Sequence, residues 1–435
     1  MASFMGRVNY GYMGRYLLTL SARYDGSSRL AEGHKWVLFP SAALAWRISD
    51  EPFMKDLVWL DNLKLRVGYG KTGNSAVSPY QTKGQLALRH YVFNNGSSGY
   101  IGYAPSVMAN DQLTWETTDQ WNVGVDFGFL KNRINGTVEF YLQNTKDLLL
   151  KRQLPVVSGF SSVMSNVGST RNKGIEITLN TRNIMNRNFT WSTDLTFSAN
   201  KEEIVELYNG KTDDVGNLWF IGQPIDVYYN YKKIGIWQNT ENDLAEMAKF
   251  NEKGANFKPG SIRLEDVDGD YKITEEDKQI LGSVRPKFVA SMVNNFEFKG
   301  FDLSVFLYAS VGGLLRNNIE FMEKPGRGNT VKVDYWTPTN PTNAFPRPSV
   351  DVEKLDYIST LGYDKADFLR IRNITLGYTL PEMWSKKVLM DKIRIYLSAN
   401  NPAIFTNFTG IDPEGANGRT APSYSTWMFG INLSM

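Results

Sequence analysis

Long segments of strict apolar/polar alternation recur along the chain, and this period of two limits the available folds more than any other feature. Between residues 121 and 129, Trp121, Val123, Val125, Phe127 and Phe129 share one face, with Asn122, Gly124, Asp126 and Gly128 on the other. A polar turn at 131–132 reverses the chain, and Ile134, Val138, Phe140 and Leu142 then alternate with Asn135, Thr137, Glu139 and Gln143. Successive side chains of a β-strand point to opposite faces, so each segment has one apolar and one polar side. Tyr16, Leu18, Leu20, Ala22 and Tyr24 repeat the pattern, as do Ile175, Ile177 and Leu179; Phe189, Trp191, Leu195 and Phe197; Ile374, Leu376, Tyr378 and Leu380; and Trp427, Phe429, Ile431 and Leu433.

Alternation alone leaves a soluble sandwich, propeller or solenoid open. Strands in such proteins are typically about five or six residues long, whereas these segments run to roughly ten or more, the length a tilted strand needs to cross a bilayer. The chain has no run of 18 apolar residues, which excludes a membrane-spanning helix. A closed barrel is the other structure that satisfies its backbone inside lipid. Aromatic residues make up 13% of the chain, which suits both strands and membrane interfaces. Cysteine is absent and the only histidines are His34 and His90, so disulfides, thiolate chemistry and a zinc cluster are excluded. A formal charge of +3 with no basic block argues against a nucleic-acid partner.

Strand parity adds an internal check. If the short turns near Gly14, Lys131, 183–187, 299–300 and 381–390 are periplasmic, the long segments 25–36, 72–117, 145–170, 201–285, 313–365 and 403–422 all lie outside. Segment 201–285 must then hold no membrane strand or two, with 218–238 the candidate pair, and the count is 13 or 15. Single-chain bacterial barrels normally have even counts, and residues 1–7 carry no apolar signal core. The expectation is a truncated chain, with residues 1–435 as the C-terminal portion of an all-β, antiparallel transmembrane β-barrel.

Specific stretches support a family resemblance. They begin with Gly6-Arg7-Val8-Asn9-Tyr10, Arg23-Tyr24-Asp25-Gly26-Ser27-Ser28-Arg29, Phe39-Pro40-Ser41 and Ala45-Trp46-Arg47-Ile48. Leu63-Lys64-Leu65-Arg66, Gly70-Lys71-Thr72-Gly73-Asn74, Trp115-Glu116-Thr117-Thr118 and Asn166-Val167-Gly168 follow in order. Arg171-Asn172-Lys173-Gly174-Ile175-Glu176, the run from Phe368 to Tyr378, and Gly410-Ile411-Asp412-Pro413-Glu414 complete the series. In order and spacing the chain resembles the SusC/RagA family of TonB-dependent transporters over nearly its whole length. The resemblance implies a 22-stranded outer-membrane barrel, of which 13–15 strands are present, with a plug and a TonB-contacting segment elsewhere. It also implies a SusD-like surface lipoprotein and the TonB complex as partners, outer-membrane lipid around the wall, and oligosaccharides or peptides as cargo. A soluble glycan-binding β-protein and a passive porin are the alternatives.

One local motif has chemistry of its own. Asp266, Asp268, Asp270 and Asp277 occupy positions 1, 3, 5 and 12 of a calcium-loop pattern at 266–277, with the Lys272 carbonyl at position 7 and Ile273 as the apolar eighth. Calcium takes six to eight oxygen ligands, and a structural ion is the expectation set against a merely solvated acidic tip. Position 6 is Tyr271 instead of Gly, and position 12 is Asp instead of Glu. Other matches fail on context. The run from Gly68 to Gly73 spells G-x-G-x-x-G but leads into a loop, not a helix. Asp126-Phe127-Gly128 spells a kinase tripeptide in mid-strand. The pairs Asp213–Asp214 and Glu202–Glu203 are taken as solvated loop charges, and no constellation supports an enzyme. Trp219, Tyr228, Tyr229, Tyr231 and Trp237 form an aromatic-rich stretch, expected to belong to a strand pair and the interfacial belt, with glycan stacking as the alternative.

Overall fold

A computed structural model describes residues 1–93, 96, 98–317, 333–348, 356–415 and 423–435. Parts of two expected outer segments, 318–332 within 313–365 and 416–422 within 403–422, lie outside the described residues, as do 349–355.

Thirteen strands form one antiparallel sheet in which every strand pairs with its sequence neighbours in the sheet. We number them β1 (Ala2–Tyr12), β2 (Tyr16–Gly26), β3 (Trp36–Arg47), β4 (Leu60–Asn74), β5 (Glu116–Phe129), β6 (Ile134–Lys146) and β7 (Ser169–Met185). The remainder are β8 (Phe189–Glu206), β9 (Phe288–Phe298), β10 (Phe301–Val311), β11 (Phe368–Thr379), β12 (Lys392–Thr406) and β13 (Thr426–Ser434). Among the described residues the sheet is a meander of 13 wall strands, the lower of the two expected counts. Residues 218–238 do not add a pair to it. Val227–Tyr231 and Lys233–Ile236 instead pair outside the wall, with Lys278–Ser283 and Ile262–Leu264.

Turns at one end of the sheet are short. Phe298 pairs directly with Phe301, and the two residues between them, Lys299 and Gly300, both have positive φ, 46° and 89°. That double left-handed turn matches the twist of the flanking strands. Between β3 and β4 the sequence signals a turn poorly, and two 3-10 turns, Ile48–Asp50 and Pro52–Met54, fill the gap. Glu51 joins them to the wall, accepting hydrogen bonds from Arg15, Tyr16 and Trp46 at 2.6, 2.6 and 3.0 Å. Hydrogen bonds from Tyr16 and then Trp46 hold the Glu51 carboxyl below the usual glutamate range.

Register sets the two faces of the wall. Val123, Val125 and Trp121 of β5 stand opposite Phe140, Val138 and Leu142 of β6, and Val67, Leu65 and Tyr69 of β4 on the other side. The apolar row continues through Ile175 and Ile177 to Ala199 and Phe197, and at the far edge Leu397 meets Phe429. Among the described residues no second layer covers it: Val123 is 42% exposed and Phe140 55%. Aromatic pairs bound this band at both ends. Tyr24 stacks on Trp36 at 5.0 Å near the long-loop end, and Tyr16 on Trp46 at 6.3 Å near the short-turn end. Eight residues of β2 separate them, about 26 Å along a strand and roughly 20 Å along the normal at a barrel tilt of about 40°, close to the hydrocarbon band of membrane barrels. This is the wall of a transmembrane barrel, present as an open, partial sheet.

Apolar side chains do become buried, but at the long-loop end. There, among the described residues, the outer segments fold into hairpins and one helix, α1 (Glu241–Glu252), capped by the Thr240 side chain. Ile236, Ile262, Leu264, Trp336, Ile358 and Leu361 form one core, and Trp237, Met247, Phe250 and Phe257 another.

Candidate functional site

The polar face of the wall carries interlocked charges. On β4, Arg66 donates to both Asp126 carboxylate oxygens at 2.9 and 3.0 Å. Lys64 lies 3.4 Å from the same carboxylate, Glu139 lies 3.6 Å from Arg66, and the Thr137 hydroxyl donates to Asp126 at 3.1 Å. Asp126, from the kinase-like tripeptide, is thus a wall acid neutralised by cross-strand cations. The G-x-G-x-x-G run likewise lies within β4.

Glycine makes room for these long side chains. Gly124 stands between Arg66 and Glu139 in the register, and a Cβ there would sit 2.8 Å from the guanidinium. The design recurs on β11, where a Cβ on Gly377 would sit 2.5 Å from both Arg394 and Asp302. Those two residues are bonded through Arg394 Nε at 2.9 Å. In each place the guanidinium crosses the strand over its backbone, and a side chain in between would lift it off its acid.

At the mouth, two of the sequence stretches meet. Arg370, at the loop end of β11 and 2% exposed, donates to Asp412 at 2.7 Å, with Glu414 3.1 Å from its Nε. Arg372 pairs with Glu414, and the Ser423 hydroxyl donates to Asp412 at 2.5 Å. The run from Phe368 and the Gly410–Glu414 stretch are therefore two halves of one clamp that ties the last outer loop to the wall. Burial works against the Asp412 carboxylate. Hydrogen bonds from Ser423 and the Glu414 amide, with the Arg370 charge, outweigh that and hold its pKa below the usual aspartate value.

In the acidic loop, Asp266, Asp268 and Asp270 bring carboxylate oxygens within 4.8 Å of one another. Asp266 accepts from the Gly269 and Tyr271 amides, both at 2.9 Å, Asp268 accepts from the Asp270 amide at 3.2 Å, and Asp270 accepts from the Lys272 amide at 2.7 Å. Asp277 does not join that group. Fully buried, it accepts from the Val267 and Thr274 amides at 2.8 and 2.7 Å and so closes the loop on itself. Tyr271 takes the left-handed backbone at position 6, φ 62°, and sets its ring edge-on against Phe250 at 5.5 Å. Ile273 packs on both apolar cores.

Two expectations about side chains need correction. The aromatic stretch is not an interfacial belt. Trp237 is 1% exposed within the second core, Tyr229 packs on Phe220 at 4.8 Å, Tyr228 on Tyr363 at 5.2 Å and Tyr231 on Tyr357 at 5.5 Å. Glu202 and Glu203 belong to β8, not to a loop, and pair with Arg285 and Arg171 at 3.1 and 3.4 Å. Of the other acidic pair, Asp214 accepts from the Asn217 amide at a 3-10 turn and Asp213 from the Ile221 amide.

An open meander with an apolar, aromatic-bounded outer face and a charged inner face defines a membrane-barrel wall. Residues 2–402 match the family model described as TonB dependent receptor-like, beta-barrel. TonB-dependent receptor P3 of Formosa agariphila is 34% identical over the whole chain, and TonB-dependent receptor SusC of Bacteroides thetaiotaomicron is 32% identical, again over the whole chain. The chain covers 45% and 43% of those two proteins, so it spans less than half the length of the curated relatives it matches. The solved RagAB peptide transporter superposes with a TM-score of 0.81 at 26% identity, over 99% of this chain and 47% of that one. The chain belongs to the TonB-dependent receptor β-barrel family, in its SusC/RagA-like branch.

Proposed function

We propose that these residues form thirteen wall strands of a TonB-dependent outer-membrane importer that carries oligosaccharides or peptides inward. One observation carries the reading: an exposed apolar row bounded by aromatic pairs backs directly onto a charged, interlocked inner face, as a wall between lipid and an aqueous lumen requires. A soluble glycan-binding protein would leave that row in water, and the match to the TonB-dependent receptor barrel family favours an energised importer over a passive porin. In this reading the short turns are periplasmic and the buried cap is extracellular, where a SusD-like lipoprotein covers it. The TonB complex acts on the part of the relatives' length that this chain does not span. Deleting the gene in its native host and measuring growth on single glycan or peptide sources tests the assignment. Loss of growth on one source, restored by the gene but not by a variant unable to engage TonB, is expected. Unchanged growth on every source, or rescue by the TonB-uncoupled variant, would overturn it.

We propose in addition that the 266–277 loop holds a structural Ca²⁺ through Asp266, Asp268 and Asp270, with the Lys272 carbonyl completing the set. The convergence of three carboxylates on one point supports this, since unpaired like charges so close repel. Bound calcium would brace the loop against the cap cores. Calorimetric titration of the full-length protein with CaCl₂ should give one site that Asp268→Asn removes, and no heat at that site would refute the ion.

A further inference from the structure

Between the wall and the cap lies a two-part cleft. One part, about 750 Å³, is lined by the loop ends of β8, β9 and β10, and the other, about 510 Å³, by cap hairpins. Ile280, Leu281 and Leu314 border both. Three properties of the lining point to one kind of ligand.

The first is a strand edge. Lys278–Ser283 pairs with Val227–Tyr231 on one side only, in a two-stranded sheet, so among the described residues its other edge is free. A register shift at that pairing leaves Leu281 with no cross-strand partner. A free edge with unpaired backbone groups is a template for another extended chain. The second is charge. The larger part offers Lys201, Arg285, Lys287 and Lys365 against Glu202 and Asp367. Arg285 is bonded to Glu202 and Asp226, and the Gly312 amide donates to Asp367 at 2.6 Å. Neither Lys287 nor Lys365 has a carboxylate partner among the described residues. The third is that the aromatic rings in the lining, Phe288, Phe345 and Tyr363, already have an aromatic or core partner and are not set out as a stacking platform for a sugar. Phe288 stacks on Phe197 at 5.6 Å, Tyr363 lies edge-on to Tyr228, and Phe345 packs on the first core.

We infer that this cleft receives an extended acidic peptide, whose backbone pairs with the free edge of Lys278–Ser283 while its carboxylates meet Lys287 and Lys365. This rests on the importer reading and narrows its cargo. Lys287 and Lys365 are both exposed, so each contact with a carboxylate is worth little in water, but two ammonium groups acting together on one ligand favour an anion over a neutral counterpart.

The test uses purified full-length protein in detergent and fluorescence anisotropy with a labelled Glu/Val hexapeptide. The comparison ligands are its Gln/Val counterpart, an alternately N-methylated version and an oligogalacturonate hexamer. The acidic peptide should bind roughly tenfold tighter than the Gln version. The Lys287→Gln, Lys365→Gln double variant, with parental heat-modifiable migration, should erase that difference, and N-methylation should abolish binding because it removes the pairing donors. Equal binding of Glu and Gln peptides, indifference to N-methylation, an unaffected lysine variant, or tighter binding of the oligogalacturonate would each overturn the assignment. Growth tests remain the measure of import itself. A protein that supports TonB-dependent growth yet fails here loses only the cleft assignment, whereas failed growth with intact peptide binding defeats the importer reading alone.

Discussion

The wall and the cap use the same side chains in opposite ways. In the wall, Val123 and Phe140 stand 42% and 55% exposed, and their backbones are held by cross-strand ladders. In the cap, Trp237 and Ile236 are 1% and 2% exposed and lie under a helix, two hairpins and the Trp336 ring. Burial from water drives the second arrangement. It cannot drive the first, because lipid tails are as apolar as the residues they touch. The wall is held instead by satisfied backbone and by ionic bridges on its inner face, such as Arg66–Asp126 and Asp302–Arg394. A chain can thus carry two architectures whose apolar residues answer to different solvents.

That contrast can be broken by substitution. The largest effect should come from the cap: Trp237→Ala leaves a cavity under α1, at a cost of about 3–5 kcal/mol to the cap. Hydrogen exchange should rise across 236–264 and stay unchanged in β4 to β6; a rise in the wall of equal size would mean that the two regions are one cooperative unit. Next comes Val123→Arg on the outer face, at about 2–4 kcal/mol near the midplane, read from urea unfolding in vesicles. The adjacent, inward Asn122→Arg should cost far less, and equal costs would show that the faces are assigned wrongly. Gly377→Ala forces a methyl group against Arg394 and Asp302, and overpacking of that kind costs about 1–3 kcal/mol. An Arg394→Ala background should relieve most of it.

The smallest effect is a pH dependence where wall and cap join. The Asp412 pKa is lowered in the fold, so its contribution is present above the ordinary aspartate pKa of about 3.9 and is lost as pH falls through the lower folded value. Protease nicking of the 407–415 loop should therefore increase only on strong acidification, and Asp412→Asn should show that sensitivity already at pH 7. Nicking that instead increases between pH 6 and 8 would implicate another group.

Much of the wall could be read from the residues themselves. A period of two is local and survives whatever packs nearby, so β2, β5, β6, β8, β11 and β13 were visible as alternating rows, and short turns at 131–132 and 299–300 announced their reversals. Reading the faces also placed Val123 and Phe140 on the apolar side. The cap was another matter. The strands around its cores are three to six residues long, too short for a period to show, and those cores join Ile236 to Trp336 and Ile358 across about a hundred residues. Whether Tyr228 or Trp237 met lipid, sugar or another ring depended on which distant segment folded over it.

The acidic loop shows the same division within twelve residues. Spacing alone brought Asp266, Asp268 and Asp270 together, because one tight turn suffices. The fate of Asp277 followed from burial: enclosed and facing two amides, it closes the loop from within. Local periodicity settled the wall because a strand's faces are set by its own backbone. Long-range contact settled the cap and the Arg370–Asp412 clamp, because which charges and rings lose their water is a property of the assembled chain.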